Sequence, residues 1–172
     1  MQRIFTIIRV NVLLGALALS QGCSAPSRAK LQIDIPNSGF EGGTLPPWAT
    51  FQSVQAAVVT NPVRSGKFSL SVASGTGSVY VDVKGLKPGL NYNVSAWVCA
   101  SQDATATAQI AVFDPSTNTA SYSDRFSATT AWSRVKYTFK ILSGDTARLH
   151  LFRNEGSGTL FWDDVEISTE SQ

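Results

Sequence analysis

Beyond the first two dozen residues, apolar positions along the chain recur with a period of two. The alternation is clearest at 67–73 (Phe68, Leu70, Val72), 79–83 (Val79, Val81, Val83) and 91–100 (Tyr92, Val94, Ala96, Val98). It recurs at 31–35, at 105–113 (Ile110, Val112), at 132–141 (Val135, Tyr137, Phe139, Ile141) and at 147–152 (Leu149, Leu151). Successive side chains of a strand point to opposite faces, so each segment reads as a strand with one face buried. Segment 48–60 reads as one further extended piece with Val54, Ala56 and Val58 on one face, and 120–126 as a weaker strand. Turn-forming runs separate them, among them 37–47 with three glycines and two consecutive prolines. No window past the amino-terminal segment has a helical period. Many short strands with short turns predict an all-β chain, folded as an antiparallel β-sandwich over residues 31–169. A jelly roll is favoured over an immunoglobulin-like sandwich, because the Cys–Trp–Cys framework is missing.

The last strand breaks the rule that a core-facing strand is apolar. It runs Leu160-Phe161-Trp162-Asp163-Asp164-Val165-Glu166-Ile167. Strict alternation puts Phe161, Asp163 and Val165 on one face and Trp162, Asp164 and Glu166 on the other, so one aspartate points inward. A carboxylate there must be paired, hydrogen-bonded or bound to a cation. The partner segment is the glycine-rich run 37–43, which carries Glu41. We read the two chain ends as meeting around a structural calcium ion. Glu41 and Asp163 or Asp164 would be its carboxylates, with Gly39 in a loop able to aim carbonyl groups at one point. In the alternative reading Glu41 caps a turn, and the aspartates bind backbone amides or Arg64.

The amino terminus changes the picture of where the domain works. Residues 1–22 combine Arg3 and Arg9 with an apolar run from Val10 to Leu19, the pattern of a secretory signal too short to span a bilayer. Leu19-Ser20-Gln21-Gly22-Cys23 resembles a bacterial lipoprotein signal, with Cys23 as the lipidated residue. Ser20 and Gln21 depart from the usual pattern, and ordinary cleavage after Ser20 is the alternative. Residues 23–30 form a polar linker. The expected location is the cell envelope, or the exterior if Cys23 carries no lipid. Cys99 is read as a packed thiol, or as a disulfide partner of an unlipidated Cys23. The formal charge of +2 reflects 14 Lys and Arg against 12 Asp and Glu. Without Arg3 and Arg9 the balance is 12 against 12, so a neutral domain argues against a nucleic-acid partner or a polybasic membrane contact.

Five segments in order resemble the carbohydrate-binding modules of the cellulose- and xylan-binding jelly-roll group, families four, nine and twenty-two. They are Asn37-Ser38-Gly39-Phe40-Glu41, then Arg64 to Leu70, then Gly85 to Val98, then Ala131-Trp132-Ser133-Arg134-Val135, and finally Phe161-Trp162-Asp163-Asp164-Val165. The resemblance implies a jelly roll, a structural calcium site to which Lys67 adds a carbonyl, and a polysaccharide ligand such as xylan, β-glucan or cellulose. Trp48 and Trp132 stand where the family places structural tryptophans.

Sugars are held by flat aromatic rings and by polar side chains beside them, so the outward positions of the strands are the candidates. Alternation turns Tyr80, Trp97, Phe113 and Phe152 outward, with Arg148, His150, Asp82 and Gln109 as polar neighbours and Tyr122 on a rim loop. Arg148 and His150 could equally pair with Asp82. Catalysis is not expected. The acidic residues are sparse, where glycosidases need two across a cleft, and the single histidine has no nucleophile pattern. The reading is a monomeric, non-catalytic polysaccharide-binding module. The rivals are an adhesion domain contacting protein and, more weakly, a hydrolase.

Overall fold

The computed structural model describes residues 30–169. Within them the chain forms eleven strands and no helix. They are β1 (Gln32–Ile33), β2 (Ala49–Gln52), β3 (Gln55–Val59), β4 (Ser69–Ser74), β5 (Gly77–Val83), β6 (Asn91–Ala100), β7 (Ala108–Asp114), β8 (Thr119–Tyr122), β9 (Ser133–Lys140), β10 (Ala147–Arg153) and β11 (Leu160–Thr169). The signal, Cys23 and the linker up to residue 29 lie outside the described residues.

Two antiparallel sheets face each other. One runs β3-β4-β11-β6-β9, with β1 also pairing to β11; the other runs β2-β5-β10-β7-β8. Tyr92, Val94, Ala96 and Val98 of β6 and Leu160, Trp162, Val165 and Ile167 of β11 fill the core from the first sheet. Val79, Val81, Ile110, Leu149 and Leu151 meet them from the second. This is the jelly-roll sandwich expected from the sequence, and Leu86, in the loop after β5, is buried with it.

Two local readings are corrected. Segment 48–60 is two strands in different sheets: β2 lies at the edge of the five-stranded sheet and β3 at the edge of the other. Gln52, at a φ of 64°, turns the chain between them. A run of alternating residues carries no mark of which sheet it joins, so the crossing was invisible. In β11 the register shifts between Asp163 and Glu166, where Asp163 pairs with Trp97 and Glu166 with Ser95. Two residues thus stand opposite Ala96 alone, a β-bulge, and Asp164 takes a φ of 46°. The bulge switches faces. Trp162 and Val165 therefore both point into the core, where strict alternation would separate them.

Candidate functional site

Two places hold the residues that the sequence singled out. The first is a knot at one end of the sandwich. Asp163 is fully buried. Its Oδ2 accepts from the amides of Arg64 (3.0 Å) and Ser65 (3.2 Å), and its Oδ1 from the amide of Asp164 (2.8 Å). Asp164 accepts from the Arg64 guanidinium and the Ser65 hydroxyl, at 2.8 and 2.7 Å. Glu41 accepts from the amides of Lys67 and Phe68. The bulge amide of Val165 donates to the Ser38 carbonyl. The start and end of the domain do converge. A methyl group placed on Gly39 would lie 3.7 Å from Asp164 Oδ1 and 3.9 Å from Asp163 Oδ1, and one on Gly66 would overlap the Glu41 carboxylate. Burial raises the Asp163 pKa, although its three amide donors pull the other way.

These carboxylates are satisfied by amides, a hydroxyl and a guanidinium. Among the described residues no three acidic, imidazole or thiol side chains gather as a cation site. Asp163 and Asp164 thus bind backbone amides, the Ser65 hydroxyl and Arg64. A calcium ion there would share these oxygens with the donors they already have.

The second place is the outer face of the five-stranded sheet. Strand register lays its side chains in three rungs. Phe51, Ser78, Phe152 and Gln109 form one; Tyr80, His150, Ala111 and Tyr122 the next; Asp82, Arg148, Phe113 and Ala120 the third. Ala111 and Ala120 are too small to fill their positions between large rings. The result is a hollow of about 220 Å³ lined by Phe51, Ala111, Phe113, Ala120, Tyr122, Arg148, His150 and Phe152. Phe51 and Tyr122 stand at its two edges, 44% and 54% exposed.

The rings touch in sequence across the strands. Phe51 meets His150 edge-on at 5.7 Å between centroids, His150 stacks on Phe152 at 5.5 Å, and Phe152 meets Tyr122 at 6.2 Å. His150 also lies against Tyr80 at 5.4 Å. Its Nδ1 is 2.8 Å from the Ser78 hydroxyl. Desolvation, and then the nearby Arg148 charge, push its pKa down to about 4, so near neutral pH it is an uncharged ring in the floor. Arg148 binds Asp82 through Nε (2.7 Å) and Nη2 (3.2 Å) and lies over the Tyr80 ring at 4.5 Å. Gln109 spends its amide on the Ser123 carbonyl. Large exposed apolar patches on a soluble domain mark contact surfaces, and this one has convergent rings and few free polar groups.

Six of the seven residues expected to touch sugar lie on this sheet: Tyr80, Phe113, Tyr122, Arg148, His150 and Phe152. Tyr122 ends β8 and is not on a loop. Trp97 is separated from them. It projects from β6 on the other sheet, where the Arg64 guanidinium covers its ring at 4.4 Å. Alternation gives the outward direction but not the sheet, so the sequence alone sets Trp97 with the rest. Phe51 was missed for the converse reason, since its strand was merged with β3. Cys99 is buried, with its thiol pushed up to about 11 by burial, as fits a packed cysteine.

A family model described as a carbohydrate-binding domain, of families four and nine, matches residues 35–157, well over half of the chain. The chain belongs to this carbohydrate-binding domain family. The xylan-binding domain CBM22-1 of Xyn10C from Paenibacillus barcinonensis shares the fold of this carbohydrate-binding domain. It is 17% identical with a TM-score of 0.66, over 78% of this chain and 93% of that one. A carbohydrate-binding module solved with β-1,4-galactotriose is 18% identical with a TM-score of 0.60, over 80% of this chain and 99% of that one. A cyclase from Fischerella sp. TAU is 17% identical with a TM-score of 0.68, over 83% of this chain and 98% of that one. The same architecture thus also occurs in an enzyme, and the fold of the carbohydrate-binding domain does not by itself decide on chemistry. No curated protein matches the chain.

Proposed function

We propose that the domain binds a polysaccharide without cleaving it, in the aromatic hollow of the five-stranded sheet. The observation that carries this is the run of touching rings from Phe51 through His150 and Phe152 to Tyr122 across the strands. It offers pyranose faces an apolar floor with aromatic edges on both sides. No carboxylate lines the hollow, and Asp82 beside it is bound to Arg148, so the pair of acids that glycoside hydrolysis uses has no counterpart there. Trp97 takes no part in this reading. The neutral β-linked chains to try are xylan, β-glucan, cellulose and β-1,4-galactan, since one structural relative is a xylan-binding domain and another is solved with β-1,4-galactotriose. Affinity electrophoresis on these glycans tests the proposal. Tyr122→Ala and Phe152→Ala should each lose retention, while Trp97→Phe should keep it. Retention on no glycan would favour the rival, an adhesion surface for protein.

We also propose an oligomeric state, an anchor and an ion for the domain. The domain acts as a monomer, checked by light scattering. It is exported and held in the envelope by a lipid on Cys23, checked by the mass of the mature amino terminus. Calcium at the knot, on Glu41 and Asp163 or Asp164 with carbonyls of Gly39 and Lys67, is supported by the convergence of these segments and by the desolvated Asp163. A melt with and without chelator decides between the ion and the amide-and-guanidinium clasp. An unchanged midpoint selects the clasp.

A further inference from the structure

The outer face of the six-stranded sheet, turned away from the hollow, holds a second depression of different chemistry. Its volume is about 240 Å³. Strand register again builds it. Glu166, Ser95 and Lys136 form one rung across β11, β6 and β9, and Ser168, Asn93 and Thr138 the next. Lys30 enters from the segment leading into β1, and Arg134 closes the other end. Ser95 and Ser168 are buried in its floor.

Arg134 is held flat on the sheet. Its Nε and Nη2 donate to the Ser95 hydroxyl at 3.1 and 2.8 Å, and Nη2 also donates to Glu166. Lys30, Arg134 and Lys136 are three cations in the lining, and Glu166 is its one carboxylate. In a domain with no net charge, that is a local excess of positive charge. No aromatic ring lines the depression, so a neutral sugar face finds nothing to stack on. What it offers is ammonium and guanidinium groups beside an amide and two hydroxyls.

We propose that this depression is a second binding site, for one uronic-acid residue of an acidic glycan. The sugar carboxylate sits against Lys136, Lys30 and Arg134, and the ring hydroxyls meet Asn93, Ser95 and Ser168. The two sites are on opposite faces of the sandwich, so a neutral chain in the hollow and an acidic one here bind at the same time. The proposal stands on its own lining and does not depend on what the hollow takes.

The experiment is a titration of the folded domain followed by amide NMR in low-salt buffer. Sodium galacturonate is the probe, with galactose and sodium sulfate as separate arms. Galacturonate should give saturable shifts on β6, β9 and β11 around Ser95, weakening as salt is added. Loss of one exposed charge contact, about 1 kcal/mol, should make Lys136→Gln bind about fivefold more weakly. Glu166→Gln, which removes the competing carboxylate, should bind more tightly. Amide peaks of the five-stranded sheet should be unchanged in Lys136→Gln, which shows that the variant is folded. The proposal is overturned by no saturable shift, by galactose or sulfate binding as tightly as galacturonate, or by undiminished affinity in Lys136→Gln.

Discussion

His150 should make the domain lose stability in mild acid, by an amount that can be worked out. Burial and the Arg148 charge lower its pKa from an ordinary 6.5 to about 4 in the folded protein. A depressed pKa means that the unfolded chain takes up the proton first. The stabilisation is fully present above about pH 6.5 and is lost as the pH falls toward 4. A gap of roughly 2.5 pH units corresponds to about 3 kcal/mol in full, and to ~2 kcal/mol at pH 5. For a domain of this size, 2 kcal/mol moves the thermal midpoint by roughly 4–8 °C. The assay compares wild type with His150→Phe at pH 7 and pH 5. The phenylalanine keeps a ring against Phe152 and Tyr80 but cannot titrate. It also leaves the Ser78 hydroxyl without its partner, a cost that is the same at both pH values. The carboxylates cancel in the difference. Asp163, raised by burial, favours the fold at low pH and loses that contribution as the pH rises through its folded value. Asp82, lowered by Arg148, works in the opposite direction below its ordinary value. If wild type and variant lose the same stability between pH 7 and pH 5, His150 is not desolvated as the structure has it and the reasoning fails.

Other outcomes follow from the same geometry. Tyr122→Ala and Phe152→Ala should each weaken glycan binding about tenfold, some 1.4 kcal/mol, with melting curves showing the Tyr122 variant essentially as stable as the parent. The two buried indoles should respond differently to truncation. Trp48 Nε1 donates to the carbonyls of Pro36 and Asn37, whereas buried Trp162 Nε1 has no partner. Trp48→Phe should therefore cost ~1 kcal/mol more in urea unfolding than Trp162→Phe, and equal costs would count against the orphaned donor. Arg153→Met should be among the most damaging substitutions, by about 3 kcal/mol. The buried guanidinium caps the carbonyls of Gly75, Asn154, Gly156 and Gly158, and denaturant midpoints would show the loss. Asp82→Asn, which breaks a half-exposed ion pair, should change stability by no more than ~1 kcal/mol in the same assay.

Much of this protein could be read from one-dimensional pattern. A period of two at Tyr92-Val94-Ala96-Val98 or Leu149-Leu151 is a statement about burial, and burial on one face of many short strands admits little besides a sandwich. The two aspartates in β11 announced that something had to meet them, and Arg64 and Ser65 do. Pattern has no term, however, for which sheet a strand joins. Trp97 and Phe152 are equally outward by alternation, yet strand pairing puts one beneath Arg64 and the other in the aromatic floor. Phe51 reaches that floor because the chain crosses between sheets at Gln52, which one left-handed residue accomplishes. The bulge at Asp163 and Asp164 moves every later side chain of β11 to the other face through a single unpaired residue. Both hollows arise from side chains on different strands, set side by side by hydrogen-bonded register. The chain determined which residues are apolar and how often they recur; long-range pairing alone decided which of them stand together.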